Sequence, residues 1–191
     1  MGRLETLAQR FAEITYPLLT GRGYAPGCCI AAVRIGIEVF EFFGYPAVEF
    51  PCTLWIPNRE LVERLESGGW PESEWMAEGC YSVLIGHPDH VIPNGIRAHL
   101  ILRVGNTPEA FFIDPTIPQG HRPQHGINLP TGVVFQSFDL AGGRDDCVRP
   151  RGAEIMLYYY PRKSDEHLSS PDWRTRRWKR LAGDIIRELQ K

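Results

Sequence analysis

The first hydrophobic pattern along the chain has the period of a helix. Its apolar positions recur every three or four residues: Leu4, Leu7, Ala8, Phe11, Ile14, Leu18 and Leu19. This spacing predicts an amphipathic helix over residues 3–19. The glycines at positions 21 and 23 form the breaker that ends it.

A second helix is predicted from Cys29 to about Phe43, where the segment Gly44-Tyr45-Pro46 ends it. This helix is apolar on almost every side. Its narrow polar stripe consists of Arg34, Glu38 and Glu41. A helix with so little polar surface is normally buried inside a domain. We therefore expect it to be the central helix of the fold.

The rest of the chain is mostly a series of short apolar runs separated by turn residues. Residues 47–56 are predicted to form a strand at a sheet edge, because Pro51 cannot donate a ladder hydrogen bond. Asn58 is placed to cap a short helix over 59–66. Further strands are predicted over 80–85, 96–104, 110–113, 132–138 and 154–160. Helices followed by a run of strands indicate an α+β fold, with the central buried helix packed on an antiparallel sheet.

The last segment, 171–190, is predicted to be a terminal basic amphipathic helix with Pro171 in its first turn. Its basic residues are Arg174, Arg176, Arg177, Lys179 and Arg180. Such a surface could contact nucleic acid or an acidic partner. The apolar positions Trp178, Leu181, Ile185 and Leu189 favour a helix that lies on the domain with its basic face in water.

Composition and charge limit the class of protein. The chain has 191 residues, 43% hydrophobic and 23% charged, which is typical of a single globular domain, here residues 1–191. The formal net charge of −2 favours neither nucleic acid nor a membrane as partner. No apolar run approaches the roughly 18 residues that span a bilayer, and residues 1–11 lack the apolar region of a signal peptide. We therefore expect a cytoplasmic protein with five free cysteines.

Cys29 is the first candidate for chemistry because it opens the buried helix. Unpaired backbone N–H groups and the helix dipole at that position favour an anion such as a thiolate. The same N–H groups could stabilise an oxyanion during acyl transfer. The alternative is that Cys28 and Cys29 are simply small buried residues, as free cysteines often are.

His99 and Asp114 are brought together by a predicted hairpin. Residues 105–108, Gly-Asn-Thr-Pro, form the turn signal between the two strands. Symmetric pairing about this turn places His99 opposite Asp114, close enough for an imidazole–carboxylate hydrogen bond. It also pairs Leu100 with Ile113, and Ile101 with Phe112. The alternative is a solvent-facing pair at the open end of the hairpin.

These residues together resemble a known family. The segments are Gly27-Cys28-Cys29, then Phe43-Gly44-Tyr45-Pro46, then His99 at a strand start and Ile113-Asp114-Pro115-Thr116. Their order and spacing over residues 20–120 resemble the transglutaminase-like branch of the papain-fold superfamily. The resemblance implies a Cys29-His99-Asp114 triad, a buried helix against an antiparallel sheet, and acyl transfer through a thioester.

Several histidines invite a metal interpretation, because their spacings have some likeness to those of ligands: His87, His90, His121 and His125. The segments 87–90 and 121–125, which carry these histidines, are loop-like and contain proline. No second cysteine pair completes a tetrahedral set of ligands. We therefore predict no metal and no cofactor. His121, His125 or Gln119 could instead line the active-site cleft, because their loop, 114–131, begins at Asp114.

The sequence therefore predicts a cysteine hydrolase or transamidase that acts on an amide bond of a peptide or small amide substrate. The alternative function is a catalytically inactive papain-fold module that binds an acidic partner through its C-terminal helix. A nucleic-acid or membrane partner is not expected.

Overall fold

The computed structural model of the chain describes residues 2–25, 27–68, 79–89, 96–106, 109–150 and 154–191. Within these ranges the α-helices are α1 (Arg3–Gly21), α2 (Cys29–Phe42), α3 (Arg59–Glu66), α4 (Phe138–Ala141), α5 (Pro171–Arg174) and α6 (Arg177–Leu189). The strands are β1 (Ala47–Pro57), β2 (Ser82–Ile85), β3 (His99–Val104), β4 (Phe111–Asp114), β5 (Val133–Gln136), β6 (Asp146–Val148) and β7 (Leu157–Pro161). The protein is thus a mixed helix-and-sheet fold.

The two N-terminal helices form where the hydrophobic spacing predicts them. α1 buries one apolar face, which includes Phe11 and Leu19. α2 is buried over most of its length, as its apolar composition indicates. At Gly36 the backbone of α2 lies against β3, because an added Cβ would be 2.8 Å from the Leu102 side chain. α2 therefore packs directly on the sheet as its central helix.

The described strands form one antiparallel sheet in the order β5-β4-β3-β1-β7-β6, with β2 also paired to β1. β1 is central, so the prediction of an edge strand was wrong. Its first half pairs with β3, and its pairing with β7 begins only at Cys52. Pro51 lies just before the part of β1 that has neighbours on both sides. A residue without an N–H group is tolerated there.

β2 and β3 pair with successive parts of β1, so the end of β2 meets the start of β3. Leu54 pairs with Ile85, and Cys52 pairs with His99. Gly86 fills the junction with a φ of +73°, and its carbonyl accepts a 3.0 Å hydrogen bond from the Thr53 hydroxyl. A Cβ added at Gly86 would lie 2.0 Å from the backbone nitrogen of His99. Only glycine fits between the two strands.

The pairing register of β3 with β4 is offset by two residues from the symmetric pairing that the sequence predicts. Leu102, not Leu100, pairs with Ile113, and Arg103 pairs with Phe112. The predicted turn residues 107–108 lie outside the described residues. A shift of two residues preserves the face on which each side chain lies, because side chains alternate along a strand. His99 and Asp114 therefore share a face although they are not directly opposite.

The sheet has an apolar core on each face. The alternate β3 residues Leu100, Leu102 and Val104 pack with α1, α2 and α6. On the other face, Ile101 and Phe112 join a second cluster with Tyr159 of β7. His99 and Asp114 lie in line with Ile101 and Phe112 respectively, by the alternation of each strand.

The terminal segment is not the single helix predicted over 171–190. It forms α5 and α6, separated at Thr175, which has an extended backbone with ψ of 150°. The Thr175 hydroxyl oxygen accepts a 3.3 Å hydrogen bond from the N–H of Arg177, the first residue of α6. The apolar face of α6 packs on α2, and the Arg34 guanidinium lies 3.8 Å from the centre of the Trp178 ring.

Among the described residues, no helix combines the length and the apolar character needed to cross a bilayer.

Candidate active site

Three elements bring Cys29, His99 and Asp114 to one region. Cys29 is the first residue of α2, His99 begins β3, and Asp114 ends β4. His99 and Asp114 are fully buried, and Cys29 is 8% exposed. The pair is thus buried within the fold and does not face solvent at the open end of the hairpin.

His99 and Asp114 form a direct contact. The imidazole Nε2 lies 2.8 Å from the Asp114 Oδ2 oxygen. With the observed register, the two residues are diagonal neighbours on one face, a separation that a long aromatic side chain can bridge. The predicted contact is confirmed, but it arises from a diagonal pair rather than the predicted opposite pair.

The Asp114 carboxylate accepts hydrogen bonds at both oxygens. The Thr116 N–H donates to Oδ1 at 3.2 Å, and the Thr116 hydroxyl lies 3.4 Å from the same oxygen. The Tyr159 hydroxyl donates to Oδ2 at 3.2 Å. Burial raises the pKa of Tyr159 well above its usual value, with a further contribution from Asp114, so the phenol keeps the proton that it donates. These donors fix the orientation of the carboxylate.

The environment of His99 favours its protonated form. Burial by itself lowers the pKa of His99, but the charge and hydrogen bond of Asp114 oppose burial, and the neighbouring Cys29 raises the pKa further. The net result raises the pKa of His99 from 6.5 to about 10. Cys29 is thus close enough to the ring to influence its protonation.

The other two buried cysteines near the site are held as thiols. Burial, and then the neighbouring Cys29, raise the pKa of Cys28 to about 12. Burial also raises the pKa of Cys52 well above its usual value, with contributions from Asp114 and Cys29. At neutral pH neither residue supplies a thiolate, so neither competes with Cys29 as a nucleophile.

Gln119 contacts the ring nitrogen that Asp114 leaves free. Its Nε2 lies 3.3 Å from His99 Nδ1 and 3.4 Å from the Thr116 hydroxyl oxygen. Its Oε1 is 4.0 Å from the position of a Cβ added at Gly27, two residues before Cys29. Gln119 therefore reaches from the loop after Asp114 to the segment that precedes Cys29. The expectation that it could line the site agrees with this position.

The histidines considered as metal ligands are engaged elsewhere. His121 accepts a hydrogen bond from the Leu129 N–H at 3.1 Å, and His125 stacks on Tyr81 with ring centres 3.7 Å apart. His87 accepts one from the Asp89 N–H at 3.3 Å, whereas His90 lies outside the described residues. Across the described ranges, no three His, Cys, Asp or Glu side chains are grouped to hold a metal ion.

Tyr159 is the residue of this site that sequence reasoning missed. It lies in the middle of three consecutive tyrosines, and nothing in the local pattern distinguishes it from Tyr158 or Tyr160. Its contact with Asp114 depends on the position of β7 beside β1, which joins segments more than one hundred residues apart. Thr116, by contrast, belongs to the Asp-Pro-Thr segment that the sequence analysis had noted.

Comparisons with known proteins find no family model, curated protein or solved structure that matches this chain significantly.

The buried pair predicts a dependence of stability on pH. The His99 pKa is about 10 when folded, whereas a free histidine titrates near pH 6.5. The stability contributed by the protonated ring is therefore complete below pH 6.5 and is lost progressively as the pH rises towards 10. We expect the free energy of unfolding, measured by urea denaturation, to fall between pH 6.5 and 9.

The control for this experiment is a pair of histidine substitutions. The free energy of unfolding of His99→Gln should depend less on pH over that range. His121→Gln changes an exposed histidine and should keep the pH dependence of the wild type. Parallel curves for the wild type and His99→Gln would contradict the assignment of the effect to His99.

Proposed function

We propose that this protein is a cysteine-dependent acyl-transfer enzyme that cleaves or exchanges an amide bond. The observation that carries the proposal is the buried His99–Asp114 pair, at 2.8 Å, beside a cysteine that opens a buried helix. A carboxylate that orients a histidine next to a thiol is the arrangement used to activate a nucleophile. The fold proposed with it is papain-like, of the transglutaminase-like branch.

In the proposed resting state the proton of the Cys29 thiol is already on His99, because the raised pKa of His99 keeps the ring protonated at neutral pH. Nε2–H donates to Asp114, and Nδ1 carries the proton that came from Cys29. Gln119 can keep its contact with Nδ1–H by turning, so that its carboxamide oxygen accepts. The Cys29 sulfur then attacks the carbonyl carbon of the amide.

The tetrahedral intermediate collapses to a thioester. The bond between carbonyl carbon and nitrogen breaks, and the proton held by His99 passes to the leaving amine. Water, or a second amine, then attacks the thioester and gives its proton to His99 Nδ1, and Cys29 leaves as the thiolate of the resting pair. Backbone N–H groups in the first turn of α2 are the proposed donors to the oxyanion, because none of the described side chains caps this helix.

The proposal is tested by the order in which the cysteines react. With limiting iodoacetamide at pH 6, we expect peptide mapping to find Cys29 modified first. Cys29 is 8% exposed, whereas Cys147 is on the surface, so accessibility alone predicts the opposite order. Burial also raises the pKa of Cys147, which makes Cys147 a slow reference. Labelling of Cys29 before all four other cysteines, and the dependence of that labelling on His99, therefore indicate an activated thiol.

His99→Gln is the matched variant for the labelling experiment. It should reduce the modification of Cys29 below that of Cys147, while the rate at Cys147 stays unchanged. Earlier modification of Cys28, Cys52, Cys80 or Cys147 in the wild type would overturn the proposal. It would favour the inactive module that binds an acidic partner through its C-terminal helix.

A further inference from the structure

A basic pocket lies beside the segment that leads to Cys29. It has a volume of about 440 Å³, within the range of small-molecule sites. Its lining includes Arg22, Ala25, Asp172, Arg177 and Arg180. Three guanidinium groups and one carboxylate give the lining a positive charge, although the whole chain has a formal net charge of −2. The charge is thus a local property of this pocket.

Two of the arginines are available to a ligand. Arg22 donates to the Asp184 carboxylate at 2.8 Å, but Arg177 and Arg180 form no ion pair with any described residue. Both lie in the first turn of α6, which has no acidic residue there to offset the positive end of the helix dipole. Arginine and a helix N-terminus are both suited to binding carboxylate or phosphate groups.

The pocket is close to Cys29 along the chain and in space. Ala25 precedes Cys29 by four residues, which span at most about 14 Å when fully extended. Asp172, which also lines the pocket, contributes by its charge to the raised pKa of Cys28, the residue next to Cys29. The pocket therefore borders the loop that carries the proposed nucleophile.

We propose that this pocket binds an anionic group, a carboxylate or a phosphate, of the substrate whose carbonyl reacts with Cys29. The inference rests on the proposed function, and it specifies the class of substrate. The reacting amide and the anionic group belong to one molecule, separated by a distance of the order of the four-residue segment. A neutral substrate of the same shape would lack this contact with Arg177 and Arg180.

The test uses alkylating probes that differ only in charge. The probes are iodoacetyl derivatives of glycine, β-alanine, γ-aminobutyrate and ε-aminocaproate, each paired with its neutral carboxamide. We expect the carboxylate form to label Cys29 at least about tenfold faster than the carboxamide at one chain length. An aminoalkylphosphonate series distinguishes a preference for a phosphate-like group from one for a carboxylate.

Arginine variants distinguish an effect of the pocket on the labelling rates from an effect of the overall positive charge around α6. Arg177→Gln combined with Arg180→Gln should bring the ratio of carboxylate to carboxamide rates near one. Arg176→Gln removes the same charge from a neighbouring position outside the pocket lining and should leave the ratio unchanged. Substitutions of exposed arginines usually change stability little, so these variants should remain folded. As a second measurement, inorganic phosphate should slow the carboxylate probe and leave the carboxamide probe unaffected.

The outcomes distinguish the two proposals. If the neutral probes label Cys29 first but no charged probe is preferred, the anionic subsite is wrong and the proposed function stands. An equal loss of preference in Arg176→Gln would also overturn the subsite. If the neutral probes do not prefer Cys29, the proposed function itself fails.

Discussion

Gly86→Ala should destabilise the protein by about 3–5 kcal/mol, because it adds a Cβ to a residue with a left-handed backbone in a closely packed junction. Gly86 has a φ of +73°, and an added Cβ would lie 2.0 Å from the His99 nitrogen and 2.4 Å from the Ala98 carbonyl carbon. These are backbone atoms, so relief requires the strands to separate. Urea denaturation measures the loss.

The effect should extend to the candidate site because Gly86 abuts the first residue of β3. Moving this junction displaces His99, which must stay within hydrogen-bond distance of Asp114. We therefore expect Gly86→Ala to reduce the preferential iodoacetamide labelling of Cys29 under conditions where the variant is folded.

Gly143→Ala provides the control. Gly143 has nearly the same backbone conformation, with a φ of +76°, but no described atom lies within 4 Å of its added Cβ. It should show only the strain of a left-handed backbone, about 1–2 kcal/mol, with no change in Cys29 labelling. Equal losses of stability in the two variants would show that the contact with β3 is not tight.

The second large effect is expected at Asp114. Asp114→Ala removes the acceptor for His99, Thr116 and Tyr159 in a fully buried position. Breaking a buried charged pair while its partner remains typically costs about 3–5 kcal/mol. We expect a loss of this size in urea denaturation at pH 7.

Asp114→Asn distinguishes the contribution of Asp114 to stability from its role in orienting His99. The amide keeps the shape and one acceptor oxygen, so it should cost less stability than alanine. Its NH2 group cannot accept the His99 Nε2–H, which favours the tautomer with the proton on Nδ1, the nitrogen needed as base. For an amide substrate we expect turnover to fall by about 10⁴-fold, as for a comparable hydrolase triad.

Tyr159→Phe is the control for Asp114 because it removes one of the same hydrogen bonds and leaves the carboxylate. It should cost about 1 kcal/mol and should leave Cys29 as the first cysteine to be labelled. If Asp114→Asn labels and turns over like the wild type, the carboxylate has no role in orienting His99.

The helices of this fold were predictable because their information is local. Asn58 caps α3 by accepting from the Leu61 N–H at 3.1 Å, as its position before the helix indicates. The buried character of α2 likewise follows from the composition of its own residues. By contrast, the break between α5 and α6 was missed because Thr175 interrupts a pattern that looks continuous in hydrophobicity.

The hairpin shows how a wrong register can still bring the right residues together. The turn residues suggested symmetric pairing, but the observed pairing of β3 and β4 is offset by two residues. An offset of one residue would have put His99 and Asp114 on opposite faces. The alternation along each strand was correct, and the long imidazole bridges the diagonal.

Local patterns in the sequence were therefore sufficient to predict most of the helices and strands, the position of Cys29 at a helix start and the shared face of His99 and Asp114. These follow from periodicity, capping and alternation, each of which acts over a few residues. The packing of distant segments was needed to establish that β1 is central, that Tyr159 donates a hydrogen bond to Asp114, and that Arg22 lines one pocket with Arg177 and Arg180. Those contacts join residues more than forty positions apart, and local patterns do not specify which distant segments pack together.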